Sequence, residues 1–380
     1  MNRHLHDAWW RLVSRPPRRL SDRLCLGFLD AASALYGAGV AARNLAYDRG
    51  WAPSVRLTRP VISIGNVSVG GTGKTACVEA LARRLQASGR RVAIVSRGYQ
   101  GRTGRRPYVL CVREGRLLVD GQPAADDGLP DEPQLLARHL PGVPVLVGRR
   151  RAVSGAAAID HWQADVLLLD DGLQPRRLAR SLEIVLVSAQ MPPGGWPLLP
   201  RGPLREPLSS LRRADIIIVT KADQSPESSA ALRERLAALC PSAVVATAGH
   251  EPAALQEVPG GGEVPLARLN GAPVALVSGL GDPDGFEQTV RRLGATVVAH
   301  AAYPDHHRYT ADEWRGILAS AASAGAAAVV TTEKDWMRLR PIMTHLSPAV
   351  HLATWVLPVR FHLLSGEDHV HARLAAVCAR

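Results

Sequence analysis

Lys74 and Thr75 close the run VISIGNVSVGGTGKT at residues 61–75, and the residues just ahead of them set what that pair can do. Gly70, Gly71 and Gly73 reach φ > 0 without strain, so successive backbone N–H groups can curl around an anion. A helix starting near Lys74 aims its unpaired amides and positive dipole end at the same point. The Lys74 ammonium then reaches the β- and γ-phosphates of a nucleotide, and the Thr75 hydroxyl reaches Mg²⁺. Gly70, Gly71, Thr72, Gly73, Lys74 and Thr75 are therefore the candidate nucleotide residues. Ser68 stands where the usual pattern has glycine, and a glycine-rich hairpin turn is the alternative. The strand-like VISIG before the loop and the helix-like VEALARRLQASG after it favour the phosphate cradle.

A second carboxylate-bearing word, VLLLDDG at 166–172, ends an apolar strand in Asp170 and Asp171. An acid at such a strand end holds the metal directly or through water in phosphate-loop sites; capping of the following turn would account for one of the two. Transfer of a phosphoryl group to an alcohol also needs a base for the hydroxyl proton and cations for the developing charge. Three places offer them: Asp131 and Glu132 between prolines in PDEP, Asp305, His306 and His307 in PDHHRY, and the arginines of RRR (149–151) and PLRE (203–206). Each alone also reads as a turn, a surface loop or a solvated face. TKAD at 220–223 resembles the word by which GTPases read guanine, with Thr220 in place of Asn, and keeps a GTPase in play.

Lysine is scarce. Of 46 Lys+Arg residues, three are lysines, Lys74, Lys221 and Lys334, in the words GKT, TKAD and TEKD after apolar strands. Codon bias explains the scarcity but not the placement, which suits sites needing a compact ammonium on a flexible stem.

The elements that must hold these residues alternate. Strand-like runs at 61–65, 91–96, 143–148, 165–171, 183–188, 215–223, 274–279, 296–301 and 327–335 have helix-like segments between them. That pattern gives an α/β fold with a mostly parallel sheet flanked by helices, P-loop NTPase-like, plus a second, smaller α/β domain. Residues 224–272, rich in Ala, Pro, Gly and Ser and without a clear strand core, carry the expected boundary. The division is 1–46 for an N-terminal helix, 47–225 for the phosphate-loop domain and 226–380 for the second domain. PPGGWPLLPRGPLREP at 192–207 reads as a long ordered loop of the functional kind.

A formal net charge of +12 points to acidic partners, with 4% aromatic residues arguing against nucleic acid. Five cysteines without CxxC spacing fit a reducing cytoplasm and argue against disulfides and zinc. Residues 24–40 form an apolar run behind Arg18, Arg19 and Arg23, shorter than the ~20 residues of a spanning helix and interrupted by Asp30. On a helix, Asp22, Asp30, Ser33 and Gly37 oppose Leu24, Phe28 and Leu35, with Leu26 misplaced on the polar side. The pattern suits an interfacial helix near anionic lipid, with Trp9 and Trp10 beside it. A helix packed on the core is the rival; a cleaved signal peptide would export a nucleotide-dependent enzyme away from its nucleotide.

Taken in order, GNVSVGGTGKT, SRGYQG (96–101), DEP (131–133), LLDDGLQ (168–174), LPRGPLREP (199–207), SGLGDP (278–283), DHH (305–307) and TEKD (332–335) resemble the tetraacyldisaccharide 4'-kinases of lipid A biosynthesis. The resemblance spans most of the chain. It implies ATP- and Mg²⁺-dependent phosphorylation of the 4'-hydroxyl of an acylated glucosamine disaccharide 1-phosphate, giving lipid IVA at the cytoplasmic face of the bacterial inner membrane. It implies triphosphate and metal roles for Lys74 and Thr75, a base at Asp131 paired with His306, and metal or charge-balancing roles for Asp170 and Asp171. Arg151, Arg205 and Glu206 match positions tied to substrate or phosphate. Ala76, Arg201 and Pro130 depart from residues common in that family. A monomer on an anionic lipid surface is the expected state.

Overall fold

The computed structural model describes Trp9, Val13 and residues 19–98, 107–123, 128–192, 195–343 and 352–379. The chain enters through a 29-residue helix, α1 (Leu20–Asp48). A large sheet follows, made of β1 (Val61–Asn66), β2 (Val92–Ser96), β3 (Tyr108–Arg113), β4 (Arg116–Val119), β5 (Gln122–Pro123), β6 (Val145–Val147), β7 (Val166–Asp170), β8 (Leu182–Ser188), β9 (Ile216–Thr220), β10 (Val244–Pro252) and, from much later in the chain, β17 (Val359–Ser365). Its order is β17-β10-β9-β8-β1-β7-β2-β6-β3-β4-β5. β1 lies at the centre, parallel to β7 on one side and β8 on the other. All of its residues are buried, as are those of β7, β8 and β9, because helices cover both faces of a parallel sheet.

The covering helices are α2 (Lys74–Ala87), α3 (Asp131–His139), α4 (Arg151–Trp162), α5 (Pro226–Leu239) and the C-terminal α9 (Glu367–Cys378). α2 turns Cys77, Val78, Leu81 and Leu85 inward onto Ile62, Ile64 and Ile94. Each such aliphatic side chain contributes about 1.5–3 kcal/mol by leaving water. The phosphate-loop helix is thereby fixed against the sheet that carries the loop.

The smaller domain is a second sheet, ordered β12-β11-β16-β15-β13-β14, from β11 (Leu255–Val258), β12 (Gly262–Val264), β13 (Pro273–Ser278), β14 (Thr296–Ala302), β15 (Ala328–Thr332) and β16 (Ala353–Leu357). The helices α6 (Pro283–Arg292), α7 (Ala311–Ser323) and α8 (Glu333–Met343) connect its parallel strands. The chain passes between domains twice at one place, from β10 to β11 and from β16 to β17, and the Ala253 amide bonds the Pro358 carbonyl there.

This arrangement corrects the expected division. β10 and β17 belong to the large sheet, with α5 and α9 packed against it, whereas the strands of the second sheet lie within 255–357. Residues 224–272 are not short of strands either: they hold α5, β10, β11 and β12. β10 was hidden because its central residues are Ala, Thr and Gly, buried without long aliphatic side chains. All nine strand-like runs form strands at their expected places.

α1 extends beyond the apolar run at both ends and settles the misplaced Leu26, which is buried. The Asp30, Ser33 and Gly37 side of α1 faces protein: Ser33 bonds the Leu198 carbonyl at 3.0 Å, Asp30 pairs with Arg201 at 3.1 Å, and Gly37 packs on Leu198. Leu20, Leu24, Phe28 and Leu35 face outward, each at least two-thirds exposed. The helix is long and apolar enough to cross a membrane by length and composition. Trp9 lies by the same loop, its indole bonding the Pro200 carbonyl at 2.6 Å. Trp10, Arg18 and residues 99–101 of the SRGYQG word lie outside the described residues.

Candidate active site

Strand order explains why distant words meet. β1 and β7 are parallel neighbours with Ile64 opposite Asp170, so the glycine-rich loop and the Asp170–Asp171 pair leave the sheet side by side at its carboxyl edge. α2 begins at Lys74 with Gly73 as its N-cap at φ 81°; a Cβ on Gly73 would lie 2.5 Å from His250 Nε2. Asn66 organises the loop, its amide donating to the Ser68 carbonyl at 2.7 Å and to Thr72 Oγ1 at 3.0 Å. Lys74 Nζ donates to Asn66 Oδ1 at 3.0 Å and lies 3.7 Å from Asp171 Oδ1.

Asp170 is buried and accepts from Ser96 Oγ at 3.1 Å through Oδ2, while its buried Oδ1 has no hydrogen-bond partner among the described residues. Burial, reinforced by the negative charges of Glu132 and Asp171, pushes its carboxyl up to about 6. A buried carboxylate oxygen of this kind at the end of β7 suits a hard cation. Asp171 adopts φ 51° and turns outward to Arg205, whose Nη1 is 3.3 Å from both carboxylate oxygens. Arg151 is buried and donates from Nη2 to the Asp170 and Asp171 carbonyls at 3.3 and 3.1 Å. It braces the turn that carries both acids.

Glu206 departs from the substrate role expected of it. Its carboxylate is fully buried under α1, paired with Arg43, and accepts from Asn44 Nδ2 at 2.9 Å and Ser210 Oγ at 2.8 Å. A group enclosed in this way anchors the helix and does not meet a substrate. Its neighbour Arg205 serves both sides, since its carbonyl accepts from the Tyr36 hydroxyl at 2.9 Å.

The PDEP segment is not a loop: Asp131 and Glu132 open α3, where the helix dipole favours negative charge. The second domain meets them there. SGLGDP, DHH and TEKD follow β13, β14 and β15, adjacent parallel strands, so all three words emerge along one edge. His306 Nδ1 lies 3.4 Å from Asp131 Oδ2, and Arg338 Nε donates to that oxygen at 2.6 Å. Burial acts to raise the Asp131 carboxyl, but the His306 hydrogen bond and the Arg338 charge outweigh it and hold it below its ordinary value. Asp131 keeps 24% side-chain exposure and remains reachable. Lys334 pairs with Glu132 at 2.6 Å; that ammonium, against burial and helped by Lys74 and His306, holds Glu132 at about 2. Asp335 is fully buried and orients Arg338 at 3.1 Å while accepting from the Tyr309 hydroxyl and the Gly279 amide at 2.9 Å.

SGLGDP reaches back to the phosphate loop: a Cβ on Gly281 would stand 3.6 Å from the Gly71 amide. Lys221 of TKAD is committed to this contact, pairing with Asp282 and donating to Gln190 at 3.0 Å. His307 does not join the base; it lies 3.3 Å from Glu313 and stacks on Tyr303. Arg338, Asp335, Asp282 and Asn66 were missed as site residues. Asp282 and Asp335 sat inside the words SGLGDP and TEKD, whereas a single arginine three residues past Asp335 carried no spacing signal.

A family model described as tetraacyldisaccharide-1-P 4'-kinase matches residues 26–379. The chain is 45% identical over 372 residues to a tetraacyldisaccharide 4'-kinase of Anaeromyxobacter dehalogenans strain 2CP-C, covering 98% of this chain and 94% of that one. It is 38% identical over 340 residues to the enzyme of that name from Geobacter sulfurreducens, covering 90% and 92%. The crystal structure of LpxK from Aquifex aeolicus in complex with ATP superposes with a TM-score of 0.71 at 28% identity, covering 93% of this chain and 99% of the other.

Proposed function

The chain belongs to the tetraacyldisaccharide-1-phosphate 4'-kinase family, and from that premise we propose that it moves the γ-phosphoryl group of ATP to the 4'-hydroxyl of a tetraacylated glucosamine disaccharide 1-phosphate, forming lipid IVA. The observation that supports this reading is the meeting of Asp131 with His306 and Arg338, on the side of the second domain whose Gly281 approaches the glycine-rich loop at Gly71.

Lys74 and the amides of residues 70–75 hold the β- and γ-phosphates. Asp131 takes the proton from the 4'-hydroxyl as its oxygen bonds the γ-phosphorus; the bond to the β–γ bridging oxygen breaks and ADP leaves. His306 and Arg338 fix the carboxylate in one orientation, so its oxygen is spent on the alcohol and not on random rotation. Thr75 and Asp170 would hold Mg²⁺, which would supply positive charge to the phosphates during transfer. Arg205 and Asp171 balance charge beside Lys74, and Arg151 holds their turn in place. The second domain, set against the loop through Gly281 and against Lys221 through Asp282, limits the access of bulk water to the transferred group.

The outward face of α1, with Leu20, Leu24, Phe28 and Leu35, seats the protein on the cytoplasmic face of the inner membrane, where an acylated substrate resides. The test is phosphoryl transfer in mixed detergent micelles. Label from ATP is expected on the acylated disaccharide, with turnover rising as lipid is added. GTP turnover without lipid would instead support the GTPase reading of TKAD.

A further inference from the structure

His139 closes the far end of α3, the helix that opens with Asp131 and Glu132. Both of its ring nitrogens face carboxylates: Nδ1 is 2.7 Å from Glu79 Oε2 on α2, and Nε2 is 2.9 Å from Glu333 Oε1 on α8. A neutral imidazole has one N–H and can donate to one acceptor. Two carboxylates at these distances require the imidazolium, with a charge-assisted bond on each side. Burial opposes that charge, but the hydrogen bonds of Glu333 and Glu79 overcome it and push the ring up to about 10. Arg83 of α2 completes the junction, donating to Glu79 Oε1 at 2.8 Å and to the His139 carbonyl at 2.6 Å.

Three catalytic segments meet at this ring. α2 starts with Lys74, and Glu79 sits on its second turn. α8 starts with Glu333, and the next residue, Lys334, holds Glu132 at the other end of α3. α3 is therefore clamped to the second domain at both ends and to the phosphate-loop helix at one.

We propose that His139 is a positioning residue for phosphoryl transfer, a cationic strut between Glu79 and Glu333 that fixes the spacing of the nucleotide cradle, the base-bearing helix and the second domain. It acts through those helices and touches neither substrate. The proposal rests on the kinase reading for its assay and does not depend on Asp131 being the base.

The test is a double-mutant cycle on kcat and KM with His139→Gln, Glu333→Gln and the pair, in mixed micelles, with melting temperatures recorded. Each single change is expected to lower kcat about tenfold, since a sub-ångström loss of alignment is enough for that. KM for ATP should stay within about twofold, because the loop itself is intact. The double variant should be no worse than His139→Gln alone, since that change already removes the contact to Glu333. Unchanged kcat in both singles, additive losses, a KM for ATP rising in step with the kcat loss, or a lower melting temperature at full kcat would each overturn the proposal. If His139→Gln does not fold, Glu333→Gln, which leaves the Glu79 contact in place, decides by the same criteria. An unsubstituted chain inactive on the lipid would sink both readings; an active one with indifferent variants would sink the strut alone.

Discussion

Glu206 and Arg205 are neighbours in one motif and face different tasks. Arg205 turns to Asp171 beside the phosphate loop, and Glu206 turns away into a closed pocket with Arg43, Asn44 and Ser210. Spacing could not separate them, because the PLREP segment is irregular and no period assigns its faces. Removing an enclosed acceptor leaves its buried donors without a partner. Arg43 keeps 37% side-chain exposure and can turn to water, so the cost falls on Asn44 and Ser210: Glu206→Ala is expected to destabilise the protein by about 1–3 kcal/mol in urea unfolding. A loss below about 1 kcal/mol would mean that the carboxylate is not a structural anchor. The lysines were the more legible residues. Lys74, Lys221 and Lys334 each face a carboxylate at the meeting of loop and domain, namely Asp171, Asp282 and Glu132. Arg338 was not legible: one arginine in an arginine-rich chain has no signature until the fold sets it against Asp131.

α3 shows the same division at the scale of an element. Its first turn was visible as acids between prolines, but Pro133 read as a loop signal, whereas proline in the first turn is compatible with a helix whose early amides lack partners. Its last turn carried no visible signal, since the partners of His139 come from positions 79 and 333. The groups around that ring are Glu79 and Arg83 from α2 and Glu333 from α8. Its folded pKa of about 10 lies above the ordinary 6.5, so its contribution to stability is complete below 6.5 and is lost as pH rises through the folded value. The stability gap between the unsubstituted chain and His139→Gln should thus be widest near about pH 6 and shrink by about pH 10.5 in urea titrations. A gap that does not change with pH would contradict the charged ring. α1 was legible in its faces and not in its length: beyond the apolar run its last turns are held by Arg43 and Asn44 on Glu206 and by Asn44 and Asp48 on Arg176, partners far away in sequence.

At the scale of the molecule, two mostly parallel sheets meet, and the phosphate loop, the Asp170–Asp171 pair, SGLGDP, DHH and TEKD leave carboxyl ends of their parallel strands, while DEP opens α3 after the antiparallel β5. The nine aliphatic strand runs made this architecture readable. The assignment of β10 and β17 to the first sheet was not, because pairing across more than a hundred residues leaves no local trace. The central claim is that Asp131, at the start of α3, is the base for an alcohol brought to the phosphate loop. The most direct measurement is single-turnover transfer by Asp131→Asn alongside its ATP affinity. The account predicts that transfer falls by at least about 10²-fold while ATP binds within about twofold of the unsubstituted protein. Transfer at the unsubstituted rate, or a loss explained by failure to bind ATP, would contradict it.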